Sequence, residues 1–334
     1  MTATSTPSGV FPVAIAGLGI RLPDRVVTND DLAQVLDTSD EWIRTRTGIR
    51  ERHVAAPEEA TSDLAAAAAR AALEDAGISV DEVAAFVVAT TSPDHAVSAT
   101  APLAAAALGS TAPAFDLNAA CSGFVYALRV AAGLVDSGPV VVVGAETLTR
   151  VVDPEDRSVA VLFGDGAGAV VLVRDETARL GPFAMGADGS GASMLWTASG
   201  GTRRPFDAEV LADRSHYLSM RGGDVYRNAV ARMTESAREV LRAADLEVDD
   251  VALLVGHQAN VRILDAVASR LGVPSERAQV SLDRHGNTSA ASIPLALWDA
   301  RDQGRLHDGD HVLLTAFGAG LTWGACLLTW KETR

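Results

Sequence analysis

The sequence predicts an α/β protein built from a duplicated half, each half a largely parallel sheet covered by helices. Three observations carry this. Near-continuous apolar runs, such as Pro139-Val-Val-Val-Val143 and Ala169–Val173, alternate with segments of helical spacing. Such runs are strands buried on both faces. The chain also repeats itself. Leu73–Val87 and Leu241–Val255 are identical at seven of fifteen positions, 168 residues apart in a chain of 334. Finally, polar residues gather where strands end, at Asp116-Leu-Asn118 and Gly256-His-Gln-Ala-Asn260. Open α/β sheets bind ligands at the carboxyl ends of their strands.

Composition narrows the classes. The chain is 48% hydrophobic, ample for a large core. Its two cysteines, Cys121 and Cys326, make no disulfide framework and fit a reducing compartment, hence a soluble cytoplasmic protein. No run of about 18 apolar residues predicts a membrane span. Met1–Gly9 lacks a charged start and an apolar stretch, so it reads as a frayed tail rather than a signal peptide. A net charge of −15 argues against nucleic acid as a partner. Any acidic partner must therefore be met by a local basic patch.

Along the chain, the apolar run Val10–Gly19 ends in Gly17-Leu-Gly19. Leu22 stands where a dinucleotide fingerprint needs its third glycine, and Pro23 follows, so no nucleotide loop is expected. Thr28 opens a capped helix, and Asp40–Gly48 forms another that carries Trp42, Arg44 and Arg46. That helix fits either a solvated amphipathic face or a platform that stacks an adenine and holds phosphates. Thr61 or Ser62 should cap an Ala-rich helix from about Asp63 to Ala76, stopped by Gly77, with the strand Val83–Val88 next. Its counterpart runs from Val225 past Met233 to Leu241. The glycine clusters Phe163–Gly168 and Phe317–Gly324 lead into strands and lack a Lys-Ser/Thr phosphate signature. They mark close approach of backbone to backbone or ligand. The polar, irregular stretch Ala187–Ser219 is long enough to be a pocket wall.

The chemistry centres on Phe115–Leu128, a strand, a tight turn with Cys121 among small residues, and a helix through Leu134. A thiol at a helix start is expected to titrate low and to be partly thiolate. Taken alone, Cys121 equally fits a buried small hydrophobe. Adding 168 to its number gives 289, within Arg284-His-Gly-Asn287-Thr-Ser-Ala-Ala-Ser292. Cys121 and Asn287 are thus expected at pseudo-equivalent helix N-termini that face each other. His257 stands at a strand's carboxyl end in the second copy. Each could be an ordinary core or capping residue, but all three at homologous ends of one duplicated fold suggest a site.

At Asp116–Phe124, Gly256–Asn260 and Gly286–Ser292 the chain resembles the thiolase-fold condensing enzymes, specifically β-ketoacyl-acyl-carrier-protein synthase III. Asp40-Glu-Trp-Ile, Thr45-Arg-Thr-Gly-Ile and both glycine clusters support the match, which spans roughly residues 10 to 330. The resemblance implies two βαβαβαββ halves, residues 10–174 with the nucleophilic cysteine and 175–334 with His and Asn, in an α-β-α-β-α arrangement of five layers. It implies that Cys121 takes an acyl group from acyl-CoA, with the N–H groups of Cys121 and Gly320 as oxyanion hole. His257 and Asn287 would then stabilise the enolate formed as malonyl-carrier protein loses CO2. Trp42 would stack the adenine of CoA, Arg46 and Arg157 would hold its phosphate end, and Asn260 would line the pantetheine tunnel. Arg262, with Arg227 and Arg270, would meet the acidic carrier protein. No metal or redox cofactor is implied, and a homodimer is.

In the family, the partner subunit closes the acyl pocket with the segment at Thr91–Thr100. Here that segment offers Val97 where some members carry an aromatic, so a pocket deeper than acetyl needs is expected. The same fold also serves starter-unit-priming ketosynthases and acyltransferases of polyketide and other specialised metabolism. A papain-like protease shares the order Cys, His, Asn, but its Cys-Gly-Ser-Cys-Trp context is absent. A non-catalytic subunit of the same fold would be expected to lose the thiol.

Overall fold

A computed structural model describes residues 9–331, so the expected tail falls, Gly9 excepted, outside the described residues. The strands form two main sheets. The first has the order Val13–Arg21, Asp165–Arg174, Val140–Thr147, Ala85–Ala89, Ala114–Leu117. The second has the order Leu180–Ala187, Thr322–Thr329, His311–Gly318, Val251–Gly256. The fifth place is marked by Ala278, which bridges parallel to Leu254. The two orders correspond strand for strand.

Neither sheet is largely parallel. The three strands Val140–Thr147, Ala85–Ala89 and Ala114–Leu117 run parallel to one another. Asp165–Arg174 and Val13–Arg21 join by antiparallel pairing, and the second sheet repeats this mixture. The expectation failed because apolar continuity reports burial on two faces, not strand direction. Val140–Val143 illustrates it. All four valines are at most 1% exposed. Val140 and Val142 pack into the central core, whereas Val141 and Val143 pack into the core on the sheet's outer side. Side chains alternate between faces with period two, and each buried valine contributes about 1.5–3 kcal/mol.

Helices complete the five layers. Thr61–Ala76 and Thr100–Ala107 cover the outer face of the first sheet. Gly123–Ala131 and Ser292–Asp302 lie between the sheets and touch both. Gly222–Ala244 and Val261–Leu271 cover the second. The Gly17-Leu-Gly19 pair is a packing device. A Cβ on Gly17 would lie 2.3 Å from the Ala72 carbonyl oxygen, and one on Gly19 2.2 Å from the Ala72 nitrogen.

Two local expectations need correction. Thr61 and Ser62 do not cap their helix. The cap position is Ala60, whose N–H donates to the Asp63 carboxylate at 2.8 Å. The Thr61 hydroxyl instead donates to the Ser92 carbonyl, and the Ser62 hydroxyl to Asp94. The central helix ends at Ala131 rather than Leu134. Residues 187–219 are more ordered than expected. They hold a hairpin of Leu195–Thr197 with Leu218–Met220 and a short helix, Ala208–Ala212. Arg214 pins this segment to Asp153 and, at 3.4 Å, to Glu155.

Candidate active site

Two matching turns make the floor of the site. After the strand Ala114–Leu117, the Asn118 side-chain oxygen accepts from the Ala120 N–H at 3.2 Å. Ala120 has φ 47, and a 3₁₀ turn Ala120–Ser122 leads into the helix Gly123–Ala131. In the second half, the Asn287 side-chain oxygen accepts from the Ser289 N–H at 2.9 Å, Ser289 has φ 48, and Ser289–Ala291 leads into Ser292–Asp302. Residues of the two turns correspond at an offset of 169, not 168. Asn118 therefore pairs with Asn287, and Cys121 with Ala290. The turns do pack against each other, since a Cβ on Gly123 would stand 3.7 Å from the Ala290 Cβ.

Asn287 is fixed by backbone contacts to the first half. Its N–H donates to the Leu162 carbonyl at 2.8 Å, and its own carbonyl accepts from the Gly164 N–H at 3.1 Å. With its side-chain oxygen taken by Ser289, the NH2 group is what remains for the cavity. His257 follows the strand Val251–Gly256 and donates its N–H to the Thr315 carbonyl at 2.8 Å. Next to it, the buried Gln258 braces the loop by donating to the Gly256 and Gln279 carbonyls and accepting from the Ser281 N–H.

The imidazole's tautomer follows from Ser292. The Ser292 Oγ lies 2.7 Å from His257 Nδ1 and also accepts from the Gln258 N–H at 3.4 Å. We assign its own proton to Nδ1, which leaves the ring proton on Nε2 and makes that atom a donor. Ser292 lay within the sequence motif, but nothing in the sequence gave it this role.

Cys121, His257 and Asn287 line one cavity of about 1040 Å³. All three are buried, at 8%, 4% and 6% exposure. Contrary to the expectation of a low-titrating thiol, burial pushes the Cys121 thiol up to about 12, with a smaller upward push from the Glu146 charge. Burial also pulls the His257 imidazole down to about 3, so thiol and imidazole rest as a neutral pair. The turn Ala319–Gly320 borders the same cavity. Neither the Cys121 N–H nor the Gly320 N–H donates to a backbone carbonyl among the described residues, and the Cys121 N–H faces its own sulfur. Such an arrangement can take an acyl group onto sulfur and offer neutral N–H donors to a developing oxyanion or enolate.

The approach of the second sheet to the thiol is tight. A Cβ on Gly318 would lie 2.6 Å from the Cys121 nitrogen and 3.0 Å from that of Ser122. Gly318→Ala must therefore push the sulfur's turn aside, and acylation of Cys121 should fall about 100-fold in a protein that still folds, because small misplacements cost that much. Stopped-flow release of CoA measures this; an unchanged rate refutes the close-approach account.

The remaining predicted residues divide. Trp42, Arg46, Asn260, Arg262 and Arg227 line the cavity. The guanidiniums of Arg46 and Arg157 stack on the Trp42 ring at 4.9 and 5.1 Å from its centroid. Arg157 also donates to the Asp37 carbonyl. Asn260 is engaged twice, capping the helix Val261–Leu271 and donating to the Arg46 carbonyl at 3.1 Å. Arg227 is paired with Asp224. Arg270 sits in the last turn of the helix that begins beside Arg262 and does not line the cavity. Val97 is 98% exposed and does not line it either; Thr91 does, from the same segment. Leu148, Phe163, Leu195, Trp196 and Leu218 supply an apolar wall, the last three from the Ala187–Ser219 stretch expected to wall a pocket, whereas Leu148 carried no sequence signal.

Among the described residues, no helix is long and apolar enough to cross a membrane, and no cluster of three His, Cys, Asp or Glu side chains could hold a metal ion. The family described as 3-oxoacyl-acyl-carrier-protein (ACP) synthase III matches residues 115–189, and its C-terminal region matches residues 241–330. The β-ketoacyl-acyl-carrier-protein synthase III 3 of Streptomyces coelicolor is 52% identical, over 95% of this chain and 96% of its own. The synthase III of Roseiflexus sp. is 50% identical, over 95% and 98%. The crystal structure of the Thermus thermophilus synthase III matches with a TM-score of 0.88 at 47% identity, over 95% and 99%. With near-half identity sustained over almost the whole length and the same layered architecture, the chain belongs to the β-ketoacyl-acyl-carrier-protein synthase III family of thiolase-fold condensing enzymes.

Proposed function

We propose that this protein joins a short acyl-CoA starter to malonyl-acyl-carrier protein by decarboxylative Claisen condensation, through an acyl-cysteine, giving the 3-ketoacyl-carrier protein that begins fatty-acid synthesis. The observation that carries the proposal is the meeting of Cys121, His257 and Asn287 on one cavity whose mouth holds Trp42, Arg46 and Arg262. About 50% identity to synthases III favours this over a role in specialised metabolism.

The sulfur of Cys121 attacks the thioester carbonyl, and the tetrahedral oxyanion is met by the N–H groups of Cys121 and Gly320. CoA leaves, and the thiol's proton ends on its sulfur. Malonyl-carrier protein follows and loses CO2. The His257 Nε2–H and the Asn287 NH2 hold the thioester oxygen as it becomes an enolate. The enolate carbon attacks the acyl-cysteine, its C–S bond breaks, and the sulfur leaves as a thiolate that takes a proton from water to restore the thiol. Every bond in this sequence is made and broken without a redox or metal cofactor.

Arg46 and Arg262 have no acidic side chain bonded to them among the described residues. In a chain of net charge −15, they supply the local positive field that a CoA phosphate or an acidic carrier protein needs. Arg227 and Arg270 are weaker contributors, the first because Asp224 offsets it. The exposed Val97 belongs, in this reading, to the surface that a second copy covers in a cytoplasmic homodimer. The site straddles two half-units, residues 10–174 and 175–334.

The test is product analysis with a short acyl-CoA and malonyl-carrier protein. Carbon dioxide release matched by 3-ketoacyl product is expected. Acyl transfer to another acceptor with no CO2 released would refute condensation.

A further inference from the structure

Gln258 is buried, at 1% exposure, and does not line the cavity, yet its whole amide is engaged. The NH2 group donates to the Gly256 carbonyl at 2.8 Å and to the Gln279 carbonyl at 3.1 Å. The Oε1 atom accepts from the Ser281 N–H at 2.9 Å and from the Leu282 N–H at 3.3 Å. A primary amide offers two N–H donors and an oxygen with two lone pairs, so nothing on this side chain is left over. Only the bond to Gly256 stays within the His257 loop. The others reach the segment that leads to Asn287.

That segment contains the one-turn helix Leu282–His285, and Ser281 before it makes no side-chain cap. Gln258 Oε1 takes the place of the cap by accepting the leading N–H groups. From there to Asn287 the chain is tied at short intervals. The His285 N–H donates to the Ser281 carbonyl at 3.2 Å, the Gly286 N–H to Leu282 at 2.9 Å and the Asn287 N–H to Leu162 at 2.8 Å. The turn also has little room to shift, since Leu282 is 0% exposed and a Cβ on Gly286 would lie 3.1 Å from the Arg52 Cβ. On the other side, Gln279 is fixed by its N–H on the Leu254 carbonyl at 2.9 Å and by Arg305, which donates to its side-chain oxygen. One amide thus joins the neighbour of His257 to the helix that runs into Asn287.

We propose that Gln258 is a positioning residue for the decarboxylation step, setting the separation between His257 and Asn287 so that both donors meet one thioester oxygen. It does not reach the substrate and acts through the backbone on either side of it. The inference rests on the condensation reading given above. Two donors serve one developing oxyanion only when both lie within hydrogen-bond reach of it at once. A misplacement of about 1 Å costs about 100-fold. Cys121 stands on the turn Ala120–Ser122 of the first half, which Gln258 does not bond, so acylation of the sulfur does not depend on this separation.

Gln258→Met keeps the length of the side chain and removes all of its hydrogen bonds. It should lower kcat for CO2 release from malonyl-carrier protein about 30–100-fold with KM little changed, and leave acylation of Cys121, read by stopped-flow CoA release, within about twofold. The decisive measurement is a double variant. With Asn287→Ala already in place only one donor remains and there is no separation to keep, so adding Gln258→Met should cost no more than about threefold further. A structural role alone would multiply the loss by the same factor in both backgrounds, and that result would overturn the proposal. Equal slowing of acylation and decarboxylation, or no slowing of either, would overturn it too. Should Gln258→Met not fold, Gln258→Glu, which keeps the acceptor and gives up at least one N–H donor, goes through the same cycle with the same split expected at a smaller factor. Were the native protein itself to release no CO2, the condensation reading would fall and this inference with it. CO2 release by the native protein at a rate that the variant matches overturns this inference alone.

Discussion

Cys121→Ala should still release CO2 from malonyl-carrier protein while losing condensation by at least about 10⁴-fold, because the acyl-cysteine cannot form. His257→Ala should do the reverse. Incubated with acyl-CoA, it should gain the mass of an acyl group on Cys121, yet condense about 10²–10³-fold more slowly, the usual cost of removing one donor from a developing oxyanion. The division follows from the tautomer. With Ser292 assigned as the donor to Nδ1, Nε2 carries a proton and cannot accept one from the thiol. His257 is then a donor to the thioester oxygen in the second half-reaction and is dispensable in the first. Asn287→Ala should behave like His257→Ala, with a loss of about 10²–10³-fold, because it too removes one of the two donors. Intact mass after acyl-CoA and CO2 release from malonyl-carrier protein read the two halves separately. A His257→Ala protein that fails to acylate would reassign the imidazole as a base and overturn the tautomer with it.

Much of this was legible before any coordinates. The valine run at Val140–Val143 announced a strand with two buried faces, and the repeat at Leu73 and Leu241 announced two equivalent halves. Cys121, His257 and Asn287 could be picked out because they interrupt equivalent strand and helix ends with chemistry-bearing side chains. What could not be read was whatever depends on three-dimensional environment rather than on pattern. Strand direction left no trace in a run that is apolar either way. The low pKa expected at a helix start gave way to burial, which depends on what the second half lays over Cys121. Thr61 and Ser62 looked like caps, but Ser92 and Asp94, about thirty residues on, claim their hydroxyls. Glu146 did leave a signal, a lone carboxylate within Val-Val-Val-Val-Gly-Ala-Glu-Thr147. Its partners Thr90, Thr91 and Ser92 come from a distant segment that no local pattern connects to it.

The neutral imidazole makes a claim on stability as well as on rate. Burial lowers the His257 pKa to about 3 from the ordinary 6.5. Between those values the unfolded chain binds a proton that the folded chain refuses, so falling pH favours unfolding. The stability tied to a neutral His257 is whole above the unfolded pKa near 6.5 and drains away as the pH falls toward 3. Two pH units inside that window correspond to about 2–3 kcal/mol. Urea unfolding near neutral pH and again about two units lower, which enters the window by about 1.5 units, should therefore show the native protein losing about 2 kcal/mol more than His257→Gln, whose side chain does not titrate. Carboxylates that also titrate in this range are common to both proteins and cancel in the comparison. Equal losses would mean that the imidazole is charged in the fold or already reachable by water, and a charged His257 would repel the Nδ1 proton that Ser292 is assigned to donate. The stability measurement thus tests, without substrate, the protonation state on which the decarboxylation step depends.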